Sequence, residues 1–299
     1  MSPPPRKSRA GRVSAETLAL LRRALEEDRW TRDITTRSVL PGPLLGRARV
    51  IAQARGVLSG LAAARSVARI AGLRSRTLLR DGDPVRPGTV VLELSGDVRR
   101  ILAVERTLLN LLMHLSGVAT MTAAVVRRAR RVRPDFRILA TRKTLPGLRD
   151  LEKAAVVDGG GEPHRRDLSE EVLIKGTHLA FVPIEEAVRR AQLRRGTSGR
   201  VQVEVRSLSE ARRALAAGAR RILIDNRPPA AVAEIVRELR RSPDGSSLEV
   251  EVSGGIRPES VAAYARTGAD AASLGRLTHS APAIPFHLTI GSAEKRRPR

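Results

Sequence analysis

The sequence predicts an α/β protein, with an α+β first part followed by an irregular, partial (β/α) barrel of about six strands. Short apolar runs recur at 137–141, 172–175, 201–205, 221–225, 248–252 and 271–275. Helical patterns at 183–194, 208–217, 228–240 and 258–267 separate the later ones. Strand alternating with helix builds βαβ units and a parallel sheet. No GxGxxG turn succeeds any of these runs, which favours a barrel over an open dinucleotide-binding sheet.

The chain divides near residue 115. Ser14 is placed to cap a helix carrying Leu18, Leu21 and Leu25 on one stripe. Residues 46–53 alternate, with Ala48, Val50 and Ala52 on one face, and read as a strand. A helix over 60–71 and a strand over 88–95 come next. The helix predicted over 98–114 sets Leu102, Leu108, Leu109 and Leu112 on its apolar stripe, with Glu105 and Arg106 off it. The expected organisation is a basic disordered tail (1–13), an N-terminal domain (14–115), the barrel (116–290) and a second basic tail (291–299).

Composition removes several function classes. Zero cysteines exclude disulfides, thiolate metal sites and a cysteine nucleophile. No apolar run is expected to approach the length that crosses a membrane. The start has no apolar segment behind its basic residues, so no secretory signal is expected and the predicted location is cytoplasmic. A net charge of +24 invites a nucleic-acid reading. Part of the excess sits in the tails, at Arg6, Lys7, Arg9 and Arg12 and at Lys295, Arg296, Arg297 and Arg299, and the rest is spread over helix faces. With only five aromatic residues in the chain, base-stacking platforms are nearly impossible, so dedicated nucleic-acid binding is not expected.

The residues that close the strands carry the chemistry. The chain has 55 Lys and Arg residues but only five lysines, and three of these (Lys143, Lys153, Lys175) fall within 141–178. Lysine is a compact charge with a tunable pKa, whereas guanidinium is a planar fork that stays protonated. Lys143 and Lys175 each close an apolar run, while Lys153 falls on a helix and reads as structural. Arg142 and Lys143 stand just after the first run, Lys175 ends the second, and the third carries Glu204. The fourth gives Asp225 and Asn226, the fifth Ser253, Gly254 and Gly255, and the sixth Gly275. Parallel barrels build their active sites at these carboxyl ends. Two carboxylates facing several cations suit a polyanion with a divalent metal between phosphate and carboxylate. Glycine turns let backbone N–H groups approach phosphate, although residues 253–255 alone are equally a tight βα turn.

The motifs RDITT (32–36), VERTLLNLLMHLSGVAT (104–120), TRKTLPGLRDLEKAAV (141–156), GGG-x-x-HR (159–165) and LIK-x-x-H (173–178) resemble a known family. So do VEV (203–205), LIDN (223–226), SGGI (253–256), TGAD (267–270) and LGRLTHS (274–280). In this order and spacing the chain is similar to quinolinate phosphoribosyltransferases over residues 16–290. The resemblance implies an N-terminal open α/β sandwich, a partial α/β barrel, and a homodimer or higher even oligomer with shared active sites. It implies transfer of phosphoribosyl from phosphoribosyl pyrophosphate to quinolinate with decarboxylation, with Mg2+ accompanying the phosphoribosyl donor. Thr141, Arg142, His164, Arg165 and Lys175 would then bind quinolinate, with Arg106 reaching in from a partner subunit. Lys143 would touch both substrates, Glu204 and Asp225 would hold the ribose and its magnesium, and Ser253, Gly254, Gly255, Leu274, Gly275 and Arg276 would cradle phosphate.

The sequence departs from the family pattern in places. Pro163 stands where an Asn is usual before the His-Arg pair, Gly176-Thr177 where Asp-Asn is usual, and Arg276 where a small residue is usual. An Asp expected after the THS motif is missing from 281–290. A divergent relative associated with molybdenum transport shares the Pro-His-Arg and Leu-Ser-Glu pattern of 163–165 and 168–170. The alternatives are therefore a phosphoribosyltransferase for another acidic heterocycle, or a non-enzymatic binder of anions or nucleic acid.

Overall fold

The structure, a computed structural model, describes residues 13–194, 201–243 and 245–292. The two basic tails, apart from Val13, Gly291 and Ser292, lie outside the described residues. In chain order the elements begin with α1 (Ala15–Glu27), α2 (Ile34–Val39), β1 (Leu45–Ala52), β2 (Gly56–Val57), α3 (Leu61–Ile70), β3 (Arg74–Thr77), β4 (Pro84–Val85), β5 (Val90–Asp97) and α4 (Val98–Arg130). Next come β6 (Arg137–Leu139), α5 (Arg149–Asp158), β7 (Val172–Ile174), α6 (Gly176–Leu179), α7 (Ile184–Leu193), β8 (Val201–Val205) and α8 (Leu208–Ala216). The last are β9 (Arg221–Asp225), α9 (Pro229–Arg240), β10 (Glu249–Ser253), α10 (Val261–Ala265), β11 (Ala271–Ser273), α11 (Arg276–His279) and β12 (Phe286–Ser292).

The chain forms two compact units. Among the described residues the first comprises 13–121, 145–160 and 280–292, and the second those within 122–144 and 161–279. The predicted boundary near 115 therefore falls inside α4, and two later segments belong with the first unit. One of them is β12, a strand absent from the sequence reading although Phe286, Leu288 and Ile290 alternate with polar residues; its partner β1 lies near the other end of the chain.

In the first unit β12, β1, β5 and β3 form an antiparallel sheet in that order. Strand β1 buries Ala48, Val50 and Ala52 and exposes Arg47 and Arg49, as the alternation predicts. Ser14 Oγ accepts the Thr17 N–H at 3.1 Å and caps α1, whose Leu21 and Leu25 are fully buried. They share one apolar cluster with Val67 of α3, Leu92 and Leu94 of β5, and Ile101, Leu108 and Leu112 of α4.

Helix α4 runs to Arg130 rather than stopping at 114. Gly117 does not break it: a Cβ there would collide with the Pro282 carbonyl, so glycine permits a close backbone approach. The same helix corrects the expectation about apolar length. By length and composition, an 18-residue window of it qualifies to cross a membrane, yet 56% of that window is buried within the protein. It is a core helix.

The second unit holds a six-stranded parallel sheet, ordered β6-β11-β10-β9-β8-β7. Glu162 extends it with a parallel bridge to Leu139 on the far side of β6. Successive strand side chains alternate between faces. One face is apolar, with Val203, Val205, Ile222, Ile224, Val250 and Val252 buried, as are Val188 of α7, Ala211 of α8 and Val236 of α9. The alternate positions face inward and are unusually polar: Arg137, Gln202, Glu204, Arg221, Asp225, Glu249, Glu251 and Ser253. At the amino-terminal end of the strands these side chains form a chain of ion pairs. Arg221 Nη1 bonds Glu171 at 2.8 Å, Arg221 Nε lies 2.9 Å from Glu249 Oε2, and Arg137 bonds Glu249 at 2.5 Å.

A buried acid in the first unit gives a stability prediction. Ser59 Oγ donates to Asp158 Oδ2 at 2.7 Å. Burial, with some help from the charge of Asp81, pushes the Asp158 carboxyl from 3.8 up to about 6 despite that hydrogen bond. A folded-state pKa above the unfolded value means that the folded chain binds the proton more tightly. Stability therefore falls as pH rises from about 4 to about 6 and stays reduced above that. Asp158→Asn keeps an acceptor for Ser59 and removes the charge. It is expected to be more stable than the parent near pH 7.5, by on the order of 2 kcal/mol, with the gain vanishing near pH 4. Thermal melts across this range check it; a gain independent of pH contradicts it.

Candidate active site

A cavity of about 430 Å³ opens at the carboxyl ends of the barrel strands. It brings together Thr141, Arg142 and Lys143 after β6, Lys175 after β7, Glu204 in β8 and Asp225 at the end of β9. Ser253, Gly254 and Gly255 enter from β10, and Leu274, Gly275 and Arg276 from β11. His164 and Arg165 reach it from the loop after Glu162. Every predicted site residue lines this one cavity except Arg106. That residue belongs to the first unit, on α4, with its side chain 64% exposed and 3.9 Å from Glu105.

Local structure fixes these groups. Lys143 N–H donates to Thr141 Oγ1 at 3.0 Å, and Thr278 Oγ1 donates to the Lys143 carbonyl at 2.7 Å. The lysine stem passes over Gly275: a Cβ there would lie 2.7 Å from Lys143 Cδ. Lys175 N–H donates to His178 Nδ1 at 2.8 Å, and Gly176 N–H to Glu204 Oε1 at 3.2 Å. The turns after β9 and β10 interlock, because Asn226 N–H donates to the Ser253 carbonyl at 2.8 Å. Gly254, at φ +87°, would set a Cβ 2.7 Å from Asn226 N, so only glycine fits the turn.

Charge dominates the lining. Arg142, Lys143, Arg165, Lys175, Arg257 and Arg276 face three carboxylates, Glu204, Asp225 and Glu251. Burial, and then the neighbouring Arg142 guanidinium, push Arg165 below its ordinary pKa. Arg142 Nε is buried and has no hydrogen-bond partner among the described residues. Two crowded guanidiniums of this kind are stabilised by an anion that touches both, and carboxylates match their fork geometry. Among the described residues no cluster of three or more His, Asp or Glu side chains forms a closed metal site.

Four polar lining residues escape the sequence reading: Arg257, Ser273, His279 and Glu251. Glu251 carries a usable signal, being an acid in the middle of an apolar strand run, two positions before Ser253. His279 lies within a recognised motif, whereas Arg257 and Ser273 have no distinguishing pattern.

A partial α/β barrel with a cation-lined cavity and glycine turns at its strand ends defines a barrel enzyme that works on polyanionic substrates. Residues 118–289 match the family described as quinolinate phosphoribosyl transferase, C-terminal domain, and residues 33–116 match its N-terminal domain. A probable nicotinate-nucleotide pyrophosphorylase [carboxylating] from Archaeoglobus fulgidus is 42% identical over 81% of this chain and 93% of its own length. The human nicotinate-nucleotide pyrophosphorylase [carboxylating] is 33% identical over 94% of this chain and 97% of its own. The solved nicotinate-nucleotide pyrophosphorylase from Francisella tularensis superimposes with a TM-score of 0.85 at 33% identity, covering 95% of this chain and 100% of that one. The chain belongs to the quinolinate phosphoribosyltransferase family.

The contact between Lys143 and Gly275 yields a prediction. In Gly275→Ala the flexible lysine stem must move and the His279 ring, 3.1 Å from the new Cβ, must give by a few tenths of an ångström, at little cost in stability because neither is backbone. Misplacement by about 1 Å of a group at a reacting centre costs on the order of 100-fold. The melting temperature is expected to stay near that of the parent while turnover falls roughly 100-fold. Unchanged turnover would show that the position of Lys143 does not matter.

Proposed function

We propose that this protein transfers phosphoribosyl from phosphoribosyl pyrophosphate to the ring nitrogen of quinolinate. Pyrophosphate and carbon dioxide leave, and nicotinate mononucleotide remains, a step of NAD biosynthesis. The observation that carries this reading is the make-up of one cavity, with six Lys and Arg side chains, carboxylates on adjacent strands and two glycine turns. Quinolinate is a dicarboxylate, and Arg142, Arg165 and Lys175 supply cations for both of its acid groups, beside Thr141. The phosphoribosyl donor is rich in phosphate, which suits the turns at 253–255 and 274–276. The Archaeoglobus and human relatives carry the carboxylating activity in their names, which does not favour the molybdenum-associated paralogue.

As pyrophosphate departs, the anomeric carbon becomes cationic. Glu204 and Asp225 offset that charge from β8 and β9, while Lys143 holds an ammonium between the two substrates. The chemistry is mostly positioning and preorganised electrostatics. Magnesium would enter with the phosphoribosyl donor. The donor set fits it: two carboxylates leave room for waters and phosphate oxygens, as this hard cation prefers. When bound, the ion neutralises the leaving pyrophosphate. A cytoplasmic location goes with this reading.

Turnover with quinolinate, phosphoribosyl pyrophosphate and magnesium, compared with nicotinate, tests the function. Quinolinate is expected to release pyrophosphate and carbon dioxide in equal amounts. Nicotinate lacks a carboxylate, leaves a buried cation unpaired and is expected to react far more slowly. Pyrophosphate release with nicotinate or another acid at equal or higher rate overturns the assignment.

The same reading includes a homodimer in which Arg106 completes the partner's site. Its exposed side chain, in loose contact with Glu105, supports this. Arg106→Ala and Lys143→Ala subunits, each inactive alone, are expected to regain part of the activity on mixing, because one hybrid site holds both native residues. No recovery after verified subunit exchange contradicts a shared site.

A further inference from the structure

His164 lines the cavity, yet both of its ring nitrogens are engaged by the protein. Nδ1 accepts the backbone N–H of Arg165 at 2.6 Å. A nitrogen that accepts a hydrogen bond carries no proton, so the ring proton sits on Nε2. Nε2 lies 3.2 Å from Glu251 Oε2 and donates to it. The same carboxylate oxygen takes a second hydrogen bond from Gln202 Nε2 at 2.9 Å. Glu251 and Gln202 are each only 2% exposed, and the His164 side chain is 8% exposed.

The backbone gives this arrangement a purpose. His164 sits at φ +52°, in the left-handed region that non-glycine residues seldom adopt. The segment stays there because the imidazole clamps the next N–H from one side and is anchored to a buried carboxylate on the other. Arg165 is the next residue, only 7% exposed, with one guanidinium nitrogen donating to the Glu171 carbonyl at 3.2 Å. Its direction into the cavity is set by the turn that His164 holds.

We propose that Glu251 is a positioning residue and His164 a strut: Glu251, with Gln202, fixes the Nε2–H tautomer of His164, which locks the turn that aims Arg165 at the acidic acceptor. His164 then makes no hydrogen bond to the acceptor. This rests on the quinolinate reading for the identity of the acceptor, but the tautomer does not.

Two measurements on the full-length protein test it. Nitrogen-15 NMR of the histidine rings of the wild-type protein is expected to show His164 neutral, with its proton on Nε2. A wild-type His164 that is protonated on Nδ1 or on both nitrogens overturns the proposal, whatever the acceptor proves to be. Steady-state kinetics supply the second test. Glu251→Gln is expected to raise KM for quinolinate about 10-fold and leave KM for phosphoribosyl pyrophosphate unchanged. His164→Asn keeps an acceptor for the Arg165 N–H and tolerates the left-handed backbone. It is expected to stay within about 10-fold of wild type in KM for quinolinate, while His164→Ala loses about 100-fold. Equal defects in the Asn and Ala variants indicate direct acceptor contact and overturn the strut. Should the variants fold poorly, the wild-type spectrum alone decides. Should the wild-type protein not turn over quinolinate, the function reading fails while the spectrum still judges the tautomer.

Discussion

The site depends on charges placed on the inner face of a parallel sheet. Parallel strands are commonly apolar on both faces, because helices cover one side and a packed core the other. Here the inward positions of β8, β9 and β10 carry Gln202, Glu204, Arg221, Asp225, Glu249, Glu251 and Ser253. Placing charge there is costly unless each group is paired. The barrel meets that cost at its lower end with the chain Glu171–Arg221–Glu249–Arg137, and at mid-height with His164–Glu251–Gln202. At the open end the cations outnumber the carboxylates, and there an anionic ligand is the missing partner.

This gradient links stability to function. Oppositely charged side chains at the closed end offset one another. The middle layer holds a loop whose backbone would otherwise relax. At the top, Arg142 and Arg165 crowd together, and the backbone is tied down where two of the cations enter, Lys143 through Thr278 and Lys175 through His178. Such a pocket needs little reorganisation when charge develops in a reaction, which is where electrostatic catalysis gains most.

Much of this is legible in the sequence, for identifiable reasons. The six barrel strands stand out because each is a short apolar run ending in a polar or glycine residue, and the residues at those ends converge on one cavity. Helix α1 and strand β1 are readable from a capping serine and a strict alternation. The features that escape are non-local. The pairing of strand β12 with β1, near the opposite end of the chain, has no local record, although the alternation of Phe286, Leu288 and Ile290 marks the strand itself. The close approach of Pro282 to Gly117 of α4 and the bonds of Glu152 to His114 and of Asp158 to Ser59, which accompany the grouping of 145–160 with the first unit, join residues distant in sequence. His164 is legible only as a motif member, because Glu251 and Gln202, which fix its ring, come from strands distant in sequence.

The most direct measurement is a crystal structure of the protein with quinolinate bound. The account predicts the acid in the cavity at the strand ends, with its two carboxylates within about 3 Å of nitrogens of Arg142, Arg165 and Lys175, the range of charge-assisted hydrogen bonds. Quinolinate seated elsewhere, or seated in the cavity with its carboxylates turned away from those cations, would contradict it.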